Sequence, residues 1–85
     1  MRNVPRANYE ESPPELVRLG AAIKELRKRQ GLKQIELATA AGTTESQVSD
    51  IERGKNNPGW LLLARLVNGL GLSFSDLAEA YERAG

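Results

Sequence analysis

"AGTTESQVSDIERGKNNPG", Ala41 to Gly59, carries a start signal, a stop signal and very little grease between them. Thr44 with Gln47 three residues later is a capping-box pattern and Gly54 a stop, so the spacing predicts a helix over roughly Glu45 to Arg53. Its apolar side chains are Val48 and Ile51 alone. So narrow a stripe gives the helix little hydrophobic reason to be held against a core, and leaves most of its surface for another use. At about 100° per residue, turning Val48 and Ile51 inward turns Ser46, Ser49, Asp50 and Arg53 outward and puts Glu52 beside the buried face.

Upstream of this helix, Gln34 to Ala41 reads as a second short helix with Leu37, Ala38 and Ala41 inward, a stop at Gly42 and, in Lys33, a poor N-cap. Two short helices joined by "AGTT" are the physical pattern of a helix-turn-helix. The glycine allows the tight turn, and the polar second helix stands clear of the core, where it fits a DNA major groove. Further upstream, "SPPE" offers Ser12 as N-cap, Pro13 at the first helical position and Glu15 at the return position. Leu16, Leu19, Ile23 and Leu26 supply the stripe of a helix that ends before Gly31.

Downstream, the loop "GKNNPG" leads to a fourth helix from Trp60 to about Leu70. Its apolar residues, Trp60, Leu61, Leu62, Leu63, Leu66, Val67 and Leu70, make it the expected centre of the core. Gly71 ends it, and "SFSD" caps a fifth helix from Ser73, with Leu77 and Tyr81 pointing back. No stretch alternates with a period of two. The predicted fold is all-α, a compact bundle of about five helices in a domain over residues 12–85, with the helix-turn-helix at 34–53. Residues 1–11, MRNVPRANYEE, read as a flexible, solvated N-terminal arm, in preference to one whose Arg2 and Arg6 reach into a minor groove.

Composition narrows the function. With 85 residues the chain is one small domain that gains from association. It has no Cys and no His, which removes disulfides, thiolate metal sites and the commonest general base, so no metal, cofactor or catalytic residue is expected. No apolar run approaches the roughly 20 residues of a membrane span and no signal-peptide core is present, which predicts a cytoplasmic protein with no membrane partner. The net charge of +1 hides a polarity. Arg18, Lys24, Arg27, Lys28, Arg29 and Lys33 lie together with one acid, Glu25, whereas Asp76, Glu79 and Glu82 make the C-terminal end acidic.

The run "GLKQIELATAAGTTESQVSDIERGKNNP", Gly31 to Pro58, closely resembles the signature of the Cro and phage-repressor type helix-turn-helix family, also known as the xenobiotic-response-element family. The likeness extends over about Leu16 to Ala80. It implies that Thr44, Glu45, Ser46, Ser49 and Asp50 face bases, and that Gln34, Thr43, Gln47, Arg53, Lys55, Asn56 and Asn57 grip the phosphate backbone. It also implies a structural pair between Arg27 and Glu52. The sequence departs from the family pattern at Lys33, Ile35, Gly59, Trp60 and Leu61.

The two acids on the outward helix call for their own reading. An acid accepts a hydrogen bond from cytosine N4, which would make Asp50 and Glu45 specificity elements that lower overall affinity. Glu45 also sits at its helix N-terminus, where the dipole favours negative charge. The expected function is a sequence-specific regulator of transcription, a small dimeric repressor or controller that binds double-stranded DNA at a pseudo-palindromic operator. Leu61, Phe74 and Tyr81 are the candidate homodimer interface. The alternative is an antitoxin-type module that neutralises a protein partner and regulates its own operon.

Overall fold

The structure, a computed structural model, describes residues 11–85. Residues 1–10, which hold Arg2, Arg6 and nearly all of the expected arm, lie outside the described residues. Five helices follow in order: α1 (Pro14–Arg29), α2 (Gln34–Ala41), α3 (Glu45–Glu52), α4 (Trp60–Gly69) and α5 (Phe74–Ala84). The described residues contain no strand. The fold is all-α, as the periodicity predicts.

The start of α1 corrects the expected cap. Pro14 takes the first helical position, and Pro13 precedes it with φ −57° and ψ 144°. A residue before proline is pushed out of the helical region by the following ring, so Pro13 cannot itself be helical. Its carbonyl accepts from the N–H groups of Leu16 and Val17 at 3.0 and 3.1 Å. Ser12 is therefore one position too early to cap, and its Oγ is buried without a hydrogen-bond partner.

The core is built from the inward stripes of all five helices: Ile23 and Leu26 from α1, Leu37 and Ala38 from α2, Val48 and Ile51 from α3, Leu66 and Val67 from α4, Leu77 and Ala80 from α5. Here α4 is less central than its composition suggests. Trp60 is 72% exposed and Leu61 62%, Leu62 and Leu63 are only partly buried, and Leu66, Val67 and the following Leu70 supply the core. Six large apolar residues in so short a helix cannot all share one face, and those of its first turn are left over. Trp60 finds a partner outside the core instead, stacking on Phe74 with ring centroids 4.6 Å apart and planes 2° from parallel.

Packing explains how α3 is placed. α1 lies against α3 and α5, α2 lies against α3 and α4, and α4 meets α5 sparsely. Gly20 of α1 is the point of closest approach: a Cβ built there would stand 2.3 Å from the carbonyl oxygen of Ile51 and 2.6 Å from that of Glu52. Only hydrogen at this position lets α1 run directly beneath the last turn of α3. The other side of α1 is fastened to α5 by Arg18, whose Nε donates to the Tyr81 carbonyl at 2.7 Å while its guanidinium lies 4.5 Å from the Tyr81 ring centroid.

Candidate nucleic-acid interface

Both ends of α3 are defined by local chemistry. Its N-cap is Thr44, in extended backbone, whose Oγ1 accepts from the Gln47 N–H at 3.1 Å. The reciprocal half of the predicted capping box is absent, because the Gln47 side chain accepts from Thr43 Oγ1 instead. At the other end Gly54 adopts φ +73°, its N–H donates to the Ile51 carbonyl at 3.0 Å and the Lys55 N–H to the Asp50 carbonyl at 2.8 Å. This pairing closes the helix with a left-handed glycine and fixes where Lys55 leaves it. The turn before α3 uses the same device, with Gly42 at φ +71° and the Thr43 N–H on the Ala38 carbonyl at 2.9 Å.

The inner face of α3 carries Val48 and Ile51, both buried, and beside them the buried carboxylate of Glu52. Arg27 reaches Glu52 from α1 as a two-pronged pair: Nε donates to Oε2 at 2.6 Å and Nη2 to Oε1 at 3.0 Å. The remaining guanidinium nitrogen, Nη1, donates to the Leu32 carbonyl at 2.8 Å. Hydrogen bonding to Glu52 raises the Arg27 pKa above its ordinary value in spite of the opposing effect of burial. The side chains are 10% and 2% exposed, so the charges are satisfied by one another and not by water.

Gln34, the first residue of α2, joins this group by donating from Nε2 to Glu52 Oε1 at 3.0 Å. α1, α2 and α3 thus meet at one carboxylate. The outward side of α3 is different. Thr44, Glu45, Ser46 and Arg53 are exposed, and Ser49 and Asp50 are half-buried on the same face. After the helix, Lys55 and Asn56 are half-buried, Asn57 is exposed and Pro58 buried. The base-facing candidates and Arg53, Lys55, Asn56 and Asn57 therefore lie on α3 and the loop that follows it, whereas Thr43 stands in the turn before α3, bonded to Gln47, and Gln34 opens α2, bonded to Glu52.

The basic run of α1 is spent differently from what its density suggests. Arg18 is committed to α5, Arg27 to Glu52, and Arg29 to Glu25 at 2.5 Å, where Arg83 also joins at 3.0 Å. Half of that run is engaged in pairs within the chain, Arg27 buried and Arg29 on the surface. Two pairings have readable spacing: Glu25 with Arg29 at i and i+4, and Asp50 with Arg53 at i and i+3, at 2.5 Å. The bond from Gln34 to Glu52 and the stack of Trp60 on Phe74 join separate elements and leave no local signal in the chain.

Among the described residues no three His, Cys, Asp or Glu side chains are arranged to hold a metal ion, and no single helix is long and apolar enough to cross a membrane.

Comparison with known proteins places this geometry. The helix-turn-helix family pattern matches residues 23–77. The chain is 35% identical over 69 residues to the HTH-type transcriptional regulator DdrOP3 of Deinococcus deserti, covering 81% of this chain and 54% of that protein. It is 44% identical over 50 residues to the ImmF control region 10 kDa protein of Bacillus phage phi105, covering 59% of this chain and 56% of that one. The chain thus spans about half the length of these curated relatives. Among solved structures, the restriction-modification controller protein C.AhdI of Aeromonas hydrophila superposes with a TM-score of 0.74 at 32% identity, over 76% of this chain and 98% of that one. The clp gene regulator ClgR of Corynebacterium glutamicum gives 0.80 at 29% identity, over 89% and 97%. With its pattern matched from α1 into α5 and its turn and third helix built as described, the chain belongs to the Cro/C1-type helix-turn-helix family.

Proposed function

We propose that the protein is a sequence-specific, double-stranded-DNA-binding regulator of transcription that works in the cytoplasm as a two-fold dimer on a pseudo-palindromic operator and has no catalytic role. One observation carries this reading: α3 is pinned from within by the Arg27–Glu52 pair while its entire outward face is polar and accessible. A helix fixed so firmly yet contributing two apolar side chains to the core is suited to being read from outside. The relatives with printed roles, a transcriptional regulator and restriction-modification controllers among them, support the same reading.

In this reading the DNA-binding domain is residues 12–85. Thr44, Glu45, Ser46 and Ser49 face base edges, with Asp50 beside them, and Gln34, Thr43, Gln47, Arg53, Lys55, Asn56 and Asn57 hold phosphates. One helix of eight residues reads too few bases for useful discrimination, so a second copy is required, and half-sites fall about 34 Å apart. Leu61, Phe74 and Tyr81, with the exposed ring of Trp60, form the proposed interface. Of these, Phe74 and Tyr81 line a shallow apolar groove to which Leu19, Leu77 and Ala78 contribute.

Selection from random duplexes, with stoichiometry measured on the winning sequence, tests the proposal. The expected product is a pseudo-palindrome bound by two copies. A chain that stays monomeric on its best duplex at micromolar concentration contradicts it. On the selected duplex, Lys55→Ala should weaken binding to all sequence variants alike and reduce the salt slope by about 0.9 if it neutralises one phosphate.

A further inference from the structure

Arg53 is the only basic side chain between Gln34 and Gly54, a stretch that also holds Glu36, Glu45, Asp50 and Glu52. Its Nη2 donates to Asp50 Oδ1 at 2.5 Å, and the two side chains are 63% and 39% exposed. The single cation on the outward face of α3 is therefore already engaged by an anion of the same helix, three residues away. Asp50 is in turn fixed on the backbone by the Lys55 N–H, which closes on its carbonyl at 2.8 Å. Holder and held are thus set in register by the helix terminus itself.

We propose that Asp50 acts through Arg53: its carboxylate is a tether that holds one N–H edge of the guanidinium on the protein, and a phosphate that takes Arg53 through Nη2 competes with it. This rests on the reading of α3 as the DNA-facing helix, and it changes the role of Asp50 from a base reader to a positioning residue. An exposed ion pair in water is weak enough for a duplex phosphate to displace and strong enough to reduce affinity by a small common factor. The tether lowers attraction to every duplex, so that the chain is held less firmly on sequences it does not select. It also leaves Thr44, Ser46 and Ser49 as the neutral base-facing groups.

The experiment compares wild type, Asp50→Asn, Arg53→Gln and the double variant on the selected duplex, on its single-base variants and on a scrambled duplex of equal length, at two salt concentrations. Asp50→Asn should tighten selected and scrambled duplexes by a similar factor, about two- to fivefold. The gain should largely vanish in the Arg53→Gln background. In the DNA-free protein, nitrogen-15 relaxation at Arg53 Nε should show a restrained side chain that Asp50→Asn loosens. A gain equal in both backgrounds makes Asp50 a plain repulsive charge and overturns the tether. Loss of preference at one base pair, whether or not Arg53 is present, makes Asp50 a base reader and overturns it as well. Failure of wild type and variants alike to bind any duplex removes the DNA-facing reading and the tether together, a result unlike either of the others.

Discussion

Glu52 and Asp50 stand two residues apart on α3, each holding an arginine, and the helix gives them opposite surroundings. Glu52 faces inward, takes two N–H groups of Arg27 and one of Gln34, and is 2% exposed at its side chain. Asp50 faces outward and takes one N–H of Arg53 in water. Breaking the first leaves a buried charge without its partner, which costs about 3–5 kcal/mol, whereas an exposed pair contributes about 0.2–1 kcal/mol. The inner pair decides where the helix lies. The outer pair adjusts only how its surface meets a ligand.

The sharpest way to break this contrast is Arg27→Ala. It should cost about 3–5 kcal/mol, which in a domain this small approaches the whole of its stability, so the melting temperature should drop steeply. An unchanged melting temperature with altered base preference would reverse the assignment and make the inner pair a reader. Gly20→Ala comes next. It wedges a methyl group against the Ile51 and Glu52 carbonyls and should cost about 1–3 kcal/mol by overpacking, although alanine favours a helix. In a variant that still folds, α3 should be displaced, so duplex affinity should fall further than the melting temperature suggests.

Thr44→Ala removes the cap of α3 and should cost about 1 kcal/mol, read by denaturant unfolding, with the Gln47 N–H left to water. The smallest effect is a control outside α3. The backbone N–H and the hydroxyl of Ser73 hold the Asp76 carboxyl below its usual value. Its contribution is therefore complete above its ordinary value of about 3.9 and is lost as the pH falls through the lower folded value. Ser73→Ala keeps the backbone N–H and loses only the hydroxyl, so it should lessen that part of the acid titration of stability without abolishing it. Loss of the α5 cap adds a pH-independent cost, and the α3 variants' ranking should stay intact.

What could be read from the chain was whatever is local. The three- and four-residue spacing of Leu19, Ile23 and Leu26, the Thr44 cap and the stops at Gly42 and Gly54 each act within a few residues, and each stands where the spacing puts it. The start of α1 was misplaced by one residue because two consecutive prolines both suit the first helical turn, and only the steric demand of the second on the first decides between them. The Arg27–Glu52 pair was legible through resemblance, since nothing in the chain between two residues 25 positions apart announces it. The exposure of Leu61 matches its place among the interface candidates, whereas the outward turn of Trp60 was not legible: in an apolar helix, composition gives no sign of which residues the neighbouring helices leave uncovered. The commitment of Arg18 to the far end of α5 escaped for the same reason, and a dense basic run looked more available than it is.

The stack of Trp60 on Phe74 gives this molecule a built-in optical reporter. Trp60 is the single tryptophan in the chain, it stands on the first turn of α4 and most of its ring is open to water. Its emission therefore samples the solvent at one spot on the α4–α5 face. Covering that spot should move the emission towards the blue and shield it from soluble quenchers, whereas an event confined to α3 should leave the spectrum still. A simple fluorescence titration, without any label, thus reports on what comes to cover the Trp60–Phe74 stack.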